Sequence, residues 1–75
     1  MTTPEQIRAG RALKGLSQAD LADLTGKTTK TIRRAETDAS LVAADTVSAI
    51  RAALESAGVI FIEENGAGPG VRLKK

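Results

Sequence analysis

The sequence has no cysteine, histidine, tryptophan or tyrosine, and a single phenylalanine. The lack of cysteine excludes disulfides, and the lack of histidine as well removes nearly all zinc chemistry. What remains is a poor inventory for catalysis, so no enzyme is expected. No apolar run approaches the roughly 18 residues that a membrane span needs. The opening MTTPEQIRAG has no apolar signal core, which points to a cytoplasmic protein with no membrane partner. The 75 residues suffice for one domain. A chain this short buries only about 60–65% of its unfolded surface. With disulfides and metals excluded, a second copy is the remaining source of stability, so a homodimer without cofactor is expected.

Charge is distributed unevenly behind the net value of +2. Residues 8–34 hold seven basic side chains (Arg8, Arg11, Lys14, Lys27, Lys30, Arg33, Arg34) against Asp20 and Asp23, or +5. Residues 35–71 hold six acids against Arg51, or −5, and the tail restores three positive charges through Arg72, Lys74 and Lys75. A basic half joined to an acidic half suggests a polyanion on one face, although solvated surface charge gives the same count.

The chain punctuates its helices clearly. Thr3-Pro4-Glu5-Gln6 sets an N-cap threonine before a proline at the first helical position, with Gln6 placed to complete a capping box. That helix should reach about Lys14 with Ile7, Gly10 and Leu13 inward, and Gly15 should end it. Ser17 and Asp20 form a second capping box for a two-turn helix showing Leu21, Ala22 and Leu24, cut off at Gly26. Thr28 can cap a third helix over about 29–36, with Ile32 and Ala35 inside and Thr29, Lys30, Arg33 and Arg34 outside. A loop from Thr37 to Ala43, anchored by Leu41, leads to a fourth helix over about 44–57 with the stripe Val47, Ile50, Leu54 and Ala57.

Val59-Ile60-Phe61-Ile62 is β-branched and aromatic, which predicts a strand that needs cover on both faces. After the turn-rich Asn65–Gly70, Val71-Arg72-Leu73-Lys74 alternates like a second short strand. The spacing Gly66-x-Gly68-x-Gly70 lacks the lysine and the helix of a phosphate-binding loop, and is read as a flexible turn. Glu63-Glu64 is a carboxylate pair without a base or a metal partner.

Two short helices joined by a three-residue turn with a glycine define a helix-turn-helix, here over Gln18–Glu36. Leu16-Ser17-Gln18, Leu21-Ala22, Gly26, Thr31-Ile32 and Arg34-Ala35-Glu36 together resemble the Cro/C1-type helix-turn-helix family, also called the Xre family, over residues 4 to about 57. The resemblance implies a mainly α fold: a four-helix Cro/C1-type domain over 1–58. A short C-terminal strand or hairpin, about 59–63 and 70–74, would form the extension 59–75. It implies double-stranded DNA as partner, with Thr28, Thr29, Lys30 and Arg34 reading bases in the major groove. Gln18 would contact phosphate, and Lys27 and Arg33 phosphate or base. By chemistry, Lys30 and Arg34 suit guanine and a threonine methyl suits thymine. Arg11 and Glu36 stand where the family often has an ion pair orienting the recognition helix; otherwise Arg11 points at phosphate. Lys27, Ala35 and Asp38-Ala39 depart from the usual pattern, and Asp38 would repel the DNA backbone.

The expected function is a sequence-specific regulator, a repressor acting as a homodimer on a palindromic operator. Dimerisation is expected through Val59, Ile60, Phe61, Ile62, Val71 and Leu73, unless the tail only caps its own core. The alternative is an antitoxin whose acidic half binds a basic toxin or another regulator while the helix-turn-helix represses the shared promoter.

Overall fold

Three of the four helices start where a side-chain oxygen receives the first free backbone N–H groups. In the computed structural model, which describes residues 2–74, α1 spans Pro4–Leu13, α2 Gln18–Thr25, α3 Thr29–Thr37 and α4 Ala44–Ser56. Thr3 Oγ1 accepts from the Gln6 N–H at 3.1 Å while the Gln6 side-chain oxygen accepts from the Thr3 N–H at 2.9 Å. Ser17 and Asp20 repeat this reciprocal box at α2, both bonds 2.9 Å long. Thr28 caps α3 through the Thr31 N–H. Only α4 starts without a side-chain cap, behind Ala43. Gly26 ends α2 at φ 68°, a left-handed conformation that glycine adopts without steric penalty.

The core consists of Ile7, Leu21, Ala22, Ile32, Ala35, Ile50, Leu54, Val59 and Phe61, with Leu16, Val42, Val47, Ala53 and Val71 packed around it. Three leucines expected inside are exposed instead: Leu13 at 43%, Leu24 at 57% and Leu41 at 53%. On α1 the inward stripe is Gln6, Ile7 and Gly10, so a polar residue holds a place the periodicity assigned to an apolar one. On α2, Leu21 and Ala22 fix the inward direction, and at 100° per residue Leu24 lies more than a quarter turn from it. A 3-10 turn over Ala39–Leu41 holds Leu41 outward, and the extended Val42 beside it packs on the core instead.

The tail forms a local hairpin. β1 (Val59–Ile62) pairs antiparallel with β2 (Gly70–Leu73) in the register Val59 with Leu73 through Ile62 with Gly70. Side chains alternate across the strand, so Val59 and Phe61 enter the core of the helices while Ile60 and Ile62 face away, half-buried. Part of the expected dimer surface is thus used within the chain. Val59 (2% exposed) and Phe61 (7%) are already buried by their own chain and have no surface left for a second one. Val71 is half-buried against the same core, which leaves Ile60, Ile62 and Leu73 as the apolar surface of the tail.

Two features of α1 hold the hairpin in place. Gln6, 3% exposed, donates both amide hydrogens to the carbonyls of Ile62 and Gly70, each at 3.0 Å. These two carbonyls belong to the last register pair of the ladder, so one side chain closes its open end. One turn on, Gly10 lets the sheet approach: a Cβ there would lie 3.2 Å from Val59 Cγ1 and 3.4 Å from Leu54 Cδ1. Arg51 closes the other side, bonding Glu55 (3.1 Å), Glu63 (2.7 Å) and the Thr2 hydroxyl (3.0 Å), with its guanidinium 4.9 Å from the Phe61 ring centre.

A branched side chain at position 10 must displace β1 or leave the helix. Gly10→Val is therefore expected to lower stability by about 1–3 kcal/mol, read by urea unfolding. An unchanged midpoint would mean that the sheet does not rest on α1.

Candidate nucleic-acid interface

α3 has one buried side and one solvated side. Ile32 and Ala35 are fully buried and Glu36 is 3% exposed. At 100° per residue Lys30, Arg34 and Thr37 form the opposite stripe, and all three are exposed. Arg33 is exposed on the flank, and Thr28 and Lys27 are exposed at the turn before the helix. Thr29 is half-buried at the first helical position. A nine-residue helix this polar is held by its neighbours rather than by its own propensity.

The strongest hold comes from α1. Arg11 grips the Glu36 carboxylate with two N–H groups, Nε at 2.6 Å and Nη2 at 3.1 Å, and gives a third to the Leu16 carbonyl at 2.9 Å. Gln18 Nε2 adds a bond to the same carboxylate at 3.2 Å. Arg8, one turn before Arg11, donates to the backbone carbonyl of Glu36. That carbonyl lies in the last turn of α3, where helix carbonyls lack internal partners and a cation suits the helix dipole. One residue of α3 is thus held by its side chain and its backbone from two helices.

Gln18 stands at the start of α2, half-buried, beside the start of this network. After α3, the Asp38 carboxylate turns back on Ser40, accepting from its N–H at 2.9 Å and its hydroxyl at 2.8 Å. The bond from the Ser40 backbone, then that from its hydroxyl, holds the Asp38 carboxyl below its usual pKa. The Ser17 backbone N–H, then the Ser17 hydroxyl, does the same for Asp20. The Arg51 guanidinium holds down Glu63. An open groove of about 630 Å³ between the 3-10 turn and α4 is lined by Thr2, Ser40, Val42, Val47, Ser48 and Arg51, among others. Among the described residues no cluster of His, Cys, Asp or Glu is placed to hold a metal ion.

Two helices crossing at a glycine turn, the second solvated by lysine and arginine on one face, match a known pattern. The sequence model of the helix-turn-helix family matches residues 7–57, most of the chain. The chain belongs to the Cro/C1-type (Xre) helix-turn-helix family. It is accordingly a DNA-binding protein of transcription regulation. No curated protein matches it. No described helix is long and apolar enough to cross a membrane.

Sequence reasoning missed Arg8 and Thr37. Arg8 and Arg11 are three apart on one helix, a spacing that places both on the side facing α3. That spacing was the available signal for Arg8. Thr37 was placed in the loop, but its hydroxyl bonds the Arg33 carbonyl at 2.8 Å and it closes the helix.

Removing one partner from the Arg11–Glu36 pair leaves the other's hydrogen-bonding groups without their mate in a nearly closed site. Glu36→Ala should cost about 2–4 kcal/mol. Combining it with Arg11→Ala should cost less than the sum of the two single changes, a coupling read in a double-mutant cycle. Strict additivity would refute the pairing. Stability should also depend on acid. The lowered carboxyls of Asp20, Asp38 and Glu63 favour the ionised folded form. Their contribution is complete above the ordinary carboxylate range, near pH 4, and fades as pH falls through the lower folded-state values. With no histidine, the thermal midpoint should be flat from about pH 6 to 8 and decline below about pH 4.

Proposed function

We propose that the protein is a homodimeric repressor that binds a palindromic operator and places α3 of each copy in successive major grooves, about 34 Å apart. The observation that carries this reading is the exposed stripe of Lys30 and Arg34 with Thr28 and Lys27 beside it, on a helix whose other side is locked by Glu36. Lys30, Arg34, Thr28 and Thr29 read bases. Gln18, Lys27 and Arg33 contact phosphates and set the register on the duplex. Repression by occluding a promoter is the simplest outcome for a protein of this size.

The dimer surface is the outer face of the hairpin. Ile60 and Ile62 keep apolar area there, and each strand has one side without a strand partner; Leu73, though 44% exposed, pairs with Val59 and so stands on the opposite face. Deleting the hairpin is no test of this, because Val59 and Phe61 leave with it and the core opens. Ile60→Asp leaves the inward face intact. It should turn a two-chain species into a one-chain species in sedimentation equilibrium without loss of helical signal. A dimer that survives it places the interface elsewhere.

An antitoxin that uses an acidic surface is less well supported. Glu55 and Glu63 are paired with Arg51, Asp38 is turned onto Ser40, and Glu36 is buried. The acidic half is thus largely engaged within the chain.

Selection from random duplexes at about 150 mM salt tests the main reading, since non-specific binding by basic side chains weakens steeply with salt. An enriched palindrome with half-sites one helical turn apart is expected. No enrichment would overturn sequence-specific repression.

A further inference from the structure

Reading a base edge requires matching donors and acceptors, and α3 is poor in acceptors. Adenine is read by a carboxamide that both donates and accepts, and cytosine by an acceptor for its amino group. The helix TKTIRRAET has no asparagine, glutamine or aspartate. Its one carboxylate, Glu36, is buried and held by Arg11 and Gln18. Asp38, just beyond, is turned onto Ser40. Gln18 is half-buried, with one amide hydrogen committed to Glu36.

The threonine hydroxyls are largely engaged as well. Thr28 Oγ1 receives the Thr31 N–H at 3.1 Å and lies 3.0 Å from Thr31 Oγ1, so the two hydroxyls serve each other and the helix start. The unengaged group of Thr28 is its methyl. Thr37 donates to the Arg33 carbonyl. Of the threonines of α3 and its cap, only Thr29 has a hydroxyl without a hydrogen bond, and it is half-buried. The outward stripe therefore offers the cationic donors of Lys30 and Arg34, and Thr28 adds a methyl.

We propose that each operator half-site is read chiefly at two guanines, through O6 and N7, by Lys30 and Arg34, and at one thymine methyl by Thr28. This rests on the DNA-reading role proposed above. Four residues at 1.5 Å per residue separate the two cations by about 6 Å along the helix. At about 3.4 Å per base step, the two guanines lie within about two steps of each other. Adenine and cytosine enter the half-site as the complements of these bases.

The test uses the full chain and the operator obtained by selection, with base analogues that keep Watson–Crick pairing. Replacing guanine by 7-deazaguanine deletes the N7 acceptor, and replacing thymine by uracil deletes the methyl group. Two guanine positions per half-site should each weaken binding about tenfold when substituted, and one thymine position about threefold. Arg34→Ala should abolish the sensitivity at one guanine and leave the other, and Lys30→Ala should do the converse. A selected site indifferent to 7-deazaguanine at every position overturns this inference alone. So does one in which 7-deazaadenine is as costly as 7-deazaguanine. If selection enriches no site, the proposed function falls and this inference with it.

Discussion

The orientation of α3 and of its solvated basic face depends on how Glu36 is held. Its carboxylate accepts two bonds from Arg11 and one from Gln18, and its backbone carbonyl accepts one from Arg8. Few other contacts can set the orientation of α3. The helix is short, it buries only Ile32, Ala35 and Glu36, and its cap and first turn use threonines at positions 28, 29 and 31. Apolar packing through Ile32 fixes where the helix lies, but a single isoleucine leaves rotation about that contact open. A forked guanidinium on a carboxylate removes that freedom, because both bonds form only over a narrow range of angles.

The second constraint is between the hairpin and α1. A two-stranded ribbon is marginal in water by itself. Here it gains Val59 and Phe61 in the core, two backbone carbonyls bonded by Gln6, and the close approach that Gly10 permits. The sheet thus closes the core on the side of α1 and α4, while the turn between α2 and α3 is left to the solvent.

Much of this was legible in the sequence, for local reasons. The two capping boxes, the Thr28 cap, Gly26 and the stripe on α4 depend on residues within a few positions of each other, and the helix bounds came within a residue or two. The hairpin was legible from β-branched runs and turn residues. The long-range uses of polar side chains were not. Gln6 reads as a capping residue, and its second role toward carbonyls 56 and 64 positions away has no local signature. The inward and outward leucines were not separable either. Leu13, Leu24 and Leu41 have the right chemistry for a core and differ from Ile7 or Leu21 only in where the neighbouring elements lie. On α3 the sequence indicated the solvated basic face but not which hydroxyls are already engaged, because that depends on the rotamer of Thr28 against Thr31.

The family's boundary and the boundary of this fold do not coincide. Residues 7–57 contain the whole helix-turn-helix, yet both Gln6 and the strand that covers Gly10 and Leu54 lie outside that span. As a portable cassette, 7–57 would be cut along an open apolar seam, stripped of the glutamine that fastens the covering ribbon. Side chains on the solvated stripe of α3 can be exchanged without touching that seam. Grafting the helix-turn-helix elsewhere requires a new lid for the same seam.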